Sequence, residues 1–219
     1  LEELARDMER EHGIRAHVIA VDLSEPDVAN TIFNECRNLG FEIEYLVNNA
    51  GFGPFGPFLD TGWDISRRMI DLNIMALTHL TWLFAPKMRE RGRGRILNVA
   101  STAAFQPGPM MAVYFATKAF VLSFSEALGA ELTGSGVTVT ALCPGVTESG
   151  FHIAAKTDGS RWVKGRRIPS SREVAEYGFD AMMSGDAVAI HGTFNYLLAQ
   201  SVRFTPRNLV TRIVKTLQS

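Results

Sequence analysis

Short apolar runs alternate with segments of helical periodicity along most of this chain, and that alternation restricts the fold more than any other feature of its sequence. AHVIAVD (Ala16 to Asp22), EYLVNNAG, GRILNVAS and VTVTALCPG each hold the few consecutive apolar residues expected of a buried strand. Ser24 with Glu25-Pro26 signals the start of a helix that runs to about Leu39 and is closed by Gly40. Ile65, Met69, Leu72, Ala76, Leu80 and Leu83 recur at spacings of three and four, which predicts one helix face continuing to about Arg91. Met110 to Thr133 reads as another helix, and residues 1 to 12 as a first one ended by Gly13. Strands that alternate with helices form βαβ units. The expected fold is therefore a single α/β domain over residues 1–219, a three-layer, doubly wound parallel sheet.

Ligands of such sheets lie beyond the strand C-termini. The loops there are Asp22-Leu23-Ser24, the NNAG of residues 48–51, Ala100-Ser101-Thr102 and Cys143-Pro144-Gly145. Residues 147–170 mix Gly, Ser and basic residues and read as a lid, followed by a helix from Ser171 to Met183, a strand at Val188 to Ile190 and an amphipathic tail. From Ala187 to Ser219 there is no Asp or Glu, while Arg203, Arg207, Arg212 and Lys215 alternate with apolar residues. Such a tail suits a homodimer or tetramer interface first and contact with an anionic membrane second.

Composition excludes several function classes. The 22 basic and 23 acidic residues balance, so no global field draws the chain to nucleic acid. The five histidines are scattered, Cys36 and Cys143 belong to no metal-spaced cluster, and no metal site is expected. Two distant cysteines read as buried thiols in a reducing compartment, which points to the cytoplasm. No apolar run is long enough to cross a membrane as a helix.

YFATK sets Tyr114 and Lys118 four residues apart, one above the other on a helix face. Chance alone gives about 0.1 such pairs in a chain with these numbers of Tyr and Lys, so the pair is judged by its company. Carbonyl reduction needs a proton donor to the developing alkoxide, and a tyrosine suits that task if its pKa falls by about 3 units, roughly 4 kcal/mol. A cation about 4 Å away at an effective dielectric near 20 supplies about that much. Lys118 is in range to do so, and Ser101 at a neighbouring strand end would hold the substrate oxygen.

NNAG, Asn73 in LNIMA, Ser101, YFATK and Pro144-Gly145 together resemble the short-chain dehydrogenase/reductase family, in that family's order and spacing over most of the chain. The resemblance implies a catalytic set of Asn73, Ser101, Tyr114 and Lys118, with Asn73 binding a water in a proton relay. It also implies NADP(H), or alternatively NAD(H), as cofactor. Asp22 would contact the adenine and Asn49 the adenosine ribose; Tyr114 and Lys118 would border the nicotinamide ribose, and Pro144, Gly145, Thr147 and Ser149 the nicotinamide and pyrophosphate. The substrate would be a small apolar carbonyl compound or alcohol, in keeping with the Phe52 to Phe58 loop and Met110-Met111.

One departure stands out. The family's opening strand, its glycine-rich GxxxGxG turn, first helix and second strand do not occur in these residues. Residues preceding this sequence, a rearrangement or partner strand, and a truncated chain that has lost its cofactor all remain open. The last supplies the alternative reading, a cofactor-independent ester hydrolase with Ser101 as nucleophile and Tyr114 with Lys118 as base.

Overall fold

The computed structural model describes residues 1–148 and 167–218. In chain order its elements are α1 Glu2–His12, α2 Val28–Asn38, β1 Tyr45–Asn48, α3 Trp63–Ile70, α4 Leu77–Glu90, β2 Gly94–Val99 and α5 Ala112–Glu131. They continue as β3 Val137–Cys143, α6 Ser171–Ser184, β4 Val188–Ile190, α7 Thr193–Ser201 and α8 Arg207–Gln218. The four strands lie side by side in the order β1-β2-β3-β4, all parallel, with Asn48 opposite Asn98 and Asn98 opposite Ala141.

Helices cover both faces, as alternating segments require. On one face, α2 and α4 bury Ala29, Leu80, Phe84 and Met88 against Ile96 and Val139. On the other, α6 sets Val174, Ala181 and Met182 against Leu97 and Leu142. A buried polar ladder ties strands to helices: Asn48 Nδ2 donates to Asn98 Oδ1 at 2.8 Å and to Thr81 Oγ1 at 3.2 Å, and Asn98 Nδ2 donates to Ser125 Oγ at 2.9 Å. Buried amides need such partners.

Three expectations change. Ala16 to Asp22 is not a strand; it is partly exposed chain without regular structure that leans on the core through Ile19. An apolar run becomes a strand only where a neighbour pairs with it, and none does here. β1 in turn is not buried on both faces but is an edge strand, with Tyr45 46% and Val47 49% exposed. The long helix is interrupted, since α3 and α4 join through one wider π-helical stretch, Asp71–Ala76. Of the lid expected over residues 147–170, residues 149–166, Ser149 included, lie outside the described residues. Among the described residues no helix is long and apolar enough to cross a membrane, and no group of three or more His, Cys, Asp or Glu comes together.

Candidate active site

β2 ends at Val99, and two residues later Ser101 takes an extended conformation that caps a short 3-10 turn, Thr102–Phe105. Its Oγ accepts from the Ala103 amide at 3.1 Å, as expected of a serine at a helical start. The same hydroxyl bonds to the Tyr114 hydroxyl, the contact that favours the phenolate. Tyr114 and Lys118 face the strand ends from the first turns of α5 and are both buried, Lys118 to 5% exposure. Lys118 Nζ donates to the Val99 carbonyl at 2.7 Å and stands 5.8 Å from the centre of the Tyr114 ring. Ser101, Tyr114 and Lys118 thus share one wall beyond the ends of β2 and β3.

The electrostatics differ from the expected picture. Burial pushes Tyr114 up to about 12, with the Ser101 bond opposing it, and Lys118 does not figure among the causes. Burial also pulls Lys118 down to about 8. A Cys143 thiolate would raise Lys118 again, but burial holds that thiol near 12, so near neutral pH it is uncharged. Desolvation outweighs the lysine's pull because the ammonium is anchored on a main-chain carbonyl beside the ring rather than on the phenol oxygen.

Asn73 sits in the π-helical stretch and works as a strut. Its Oδ1 accepts from the Phe52 amide at 3.2 Å, and its Nδ2 donates to the Phe52 carbonyl at 3.0 Å and to Thr117 Oγ1 at 3.0 Å. Thr117 Oγ1 in turn donates to the Tyr114 carbonyl at 2.7 Å, so the loop after β1 is fixed to the helix carrying the tyrosine. Two glycines make this approach possible, Gly51 of the NNAG motif and Gly53, to which the sequence assigned no role. A Cβ on Gly51 would lie 3.1 Å from Asn73 Oδ1 and 3.3 Å from Lys118 Nζ, and one on Gly53 would run into the Tyr114 ring. The signal for them was their spacing in NNAGFG; Thr117 had none beyond its place one residue before Lys118.

Asn49, Ser101, Tyr114, Lys118, Pro144, Gly145 and Thr147 all line one cleft of about 1260 Å³, which extends along the α6 side of the sheet past Leu97 and Leu142. Asn73 stands behind its wall. Asp22 is absent from the cleft lining: its carboxylate takes the Ser24 amide and hydroxyl at 2.9 and 2.7 Å and the Arg68 guanidinium at 2.9 Å, contacts that lower its pKa, the Ser24 hydroxyl foremost. Gly51, Lys118, Pro144 and Gly145 line one cleft, where the Lys118 ammonium and the main chain at the glycines supply the polar groups that a nicotinamide riboside would need. Among the described residues no glycine-rich turn offers a pyrophosphate cradle.

The family profile described as short chain dehydrogenase matches residues 1–159. The very-long-chain 3-oxoacyl-CoA reductase of Anas platyrhynchos is 36% identical over 163 residues, 71% of this chain and 49% of that protein. The 17-beta-hydroxysteroid dehydrogenase type 3 of Mus musculus is 36% identical over 147 residues, 66% of this chain and 47% of that protein. The chain thus spans about half the length of the curated relatives it matches. Among solved structures, a short-chain dehydrogenase from Sphingobium yanoikuyae in complex with NADPH superposes with a TM-score of 0.80 at 29% identity, covering 93% of this chain and 80% of that one. With a profile matching well over half of its residues and a parallel α/β fold to match, the chain belongs to the short-chain dehydrogenase family.

Proposed function

We propose that the chain carries the catalytic wall of an NADP(H)-dependent oxidoreductase that interconverts a carbonyl and an alcohol on an apolar small molecule. The observation that carries this reading is the Ser101 to Tyr114 hydroxyl contact, with Lys118 one turn along, opening into a cleft large enough for cofactor and substrate together. Tyr114, neutral throughout the physiological range, acts as the proton donor to the substrate oxygen. Ser101 holds that oxygen and supports its developing charge. Lys118, Pro144, Gly145 and Thr147 would hold the nicotinamide end of the cofactor and Asn49 its adenosine ribose, and Asn73 belongs to the relay that the family resemblance implies. Bound cofactor supplies the hydride, and the protein supplies the proton and the geometry. NADP(H) is favoured over NAD(H) because NADPH or NADP is the partner in similar solved structures from Sphingobium yanoikuyae and Burkholderia cenocepacia.

Tyr114→Phe removes the donor without changing the ring's packing. NADPH-dependent ketone reduction by the full chain should fall at least about a hundredfold, with the circular dichroism spectrum and melting temperature unchanged. Turnover retained in that variant sinks the assignment. No observation favours ester hydrolysis: the Lys118 ammonium is bound to Val99, and the Ser101 hydroxyl engages Tyr114, Ala103 and, at 3.5 Å, the Pro144 carbonyl.

A further inference from the structure

A second cavity, of about 560 Å³, lies between α7, α8 and the segment Arg167 to Pro169. It touches none of Ser101, Tyr114 or Lys118, yet it shares Thr102, Gln106, Gly145 and Val146 with the catalytic cleft, so the two spaces meet at those four residues. Gly145 packs directly on α7, where a Cβ would run into the Asn195 side chain, so the boundary between the two spaces is one residue thick at that point. Beyond that point most of the wall is hydrocarbon, with Leu198 and Ala199 from α7, Val202 just after it, and Val210, Ile213 and Val214 from α8, while the Ser201 and Thr205 hydroxyls there donate to the Leu198 and Ser201 carbonyls at 2.7 and 2.9 Å. The polar groups at its rim are engaged with one another: Arg167 Nη2 lies 3.1 Å from Glu173 Oε2, His191 Nε2 lies 3.8 Å from Glu173 Oε1, and Asn195 Nδ2 donates to the His191 carbonyl at 2.8 Å.

We propose that this cavity is a chamber for an extended apolar tail on the carbonyl substrate, entered from Tyr114 past Gln106 and Val146. The proposal rests on the oxidoreductase reading given above and narrows its substrate class to ketones, or the matching secondary alcohols, that carry a flexible hydrocarbon chain. A polyol would set most of its hydroxyls against hydrocarbon, with only the hydroxyl oxygens of Thr193, Ser201 and Thr205 to meet them, and an anionic group would meet an arginine already paired with Glu173. A hydrocarbon chain loses nothing there and gains by leaving water. The volume lies within the roughly 300–1,000 Å³ of small-molecule sites.

The test is a series of methyl ketones from 2-hexanone to 2-tetradecanone with NADPH. KM should fall about fourfold per added methylene until the chamber is full and then level off, with kcat nearly constant, because tail burial is the same in ground and transition states. Leu198→Trp should end the fall several methylenes earlier while leaving 2-hexanone kinetics unchanged, and Leu198→Ala should extend it by one or two. A KM independent of chain length, or Leu198 variants indistinguishable from the parent, overturns the chamber. Fluorescence titration with trans-parinaric acid gives a readout free of chemistry. If no ketone is reduced, the oxidoreductase reading falls, while saturable binding of the probe that Leu198→Trp abolishes still supports the chamber and absence of binding overturns it.

Discussion

Lys118 brings its ammonium into a site that is 5% exposed, and the consequence is written in its proton affinity. Its folded pKa of about 8 lies below the ordinary 10.5 because burial disfavours the charged form. Below pH 8 folded and unfolded chains both hold the proton, so the cost of burying the charge is fully present. Between pH 8 and 10.5 the unfolded chain holds more protons, and stability rises with pH; the shift amounts to about 3 kcal/mol. Lys118→Met removes this dependence. Denaturant midpoints for parent and variant should therefore differ in the variant's favour at pH 7 relative to pH 10, by most of that amount. Tyr114 titrates upward of its ordinary range in both proteins and cancels in the comparison. Parallel stability curves would contradict a depressed lysine. The residue pair itself was legible in the sequence, because a spacing of four puts side chains on one helix face. Its electrostatics were not, since desolvation depends on what packs around Lys118 and on the Val99 carbonyl that anchors it.

At the scale of elements, the contact between the loop after β1 and α5 decides where the tyrosine points. Gly53 is the closest approach, with no room for a side chain against the Tyr114 ring. Gly53→Ala should displace that ring, lower the denaturation free energy by about 1–3 kcal/mol and lose most ketone reduction; unchanged stability and turnover would show that the loop yields without cost. β2, β3 and α5 could be read from residue pattern alone because their partners lie within the same chain and bury both faces. Ala16 to Asp22 has the same apolar character and fails as a strand, because pairing is supplied by a neighbour and not by composition. The Asn73 position was legible from family spacing, but its π-helical setting and its bonds to Phe52 and Thr117 were not, for no periodicity marks one widened turn.

At the scale of the whole molecule, two surfaces stand out among the described residues. On α7 and the turn after it, Tyr196, Leu197 and Phe204 are 51%, 61% and 88% exposed in a segment without a carboxylate side chain. That much apolar surface suits burial against a second copy, and light scattering at micromolar concentration should show a dimer or tetramer. A monomer that floats with anionic vesicles would replace the oligomer by a membrane. The other surface is the outer side of β1, which pairs with β2 on one side only. Along Tyr45–Asn48 it offers amides and carbonyls to whatever extended peptide arrives, beside half-exposed Tyr45 and Val47. Such a row accepts whichever strand is set beside it, from residues preceding this sequence, from a partner or from a second copy, so the identity of that strand governs how far the edge is protected from promiscuous pairing.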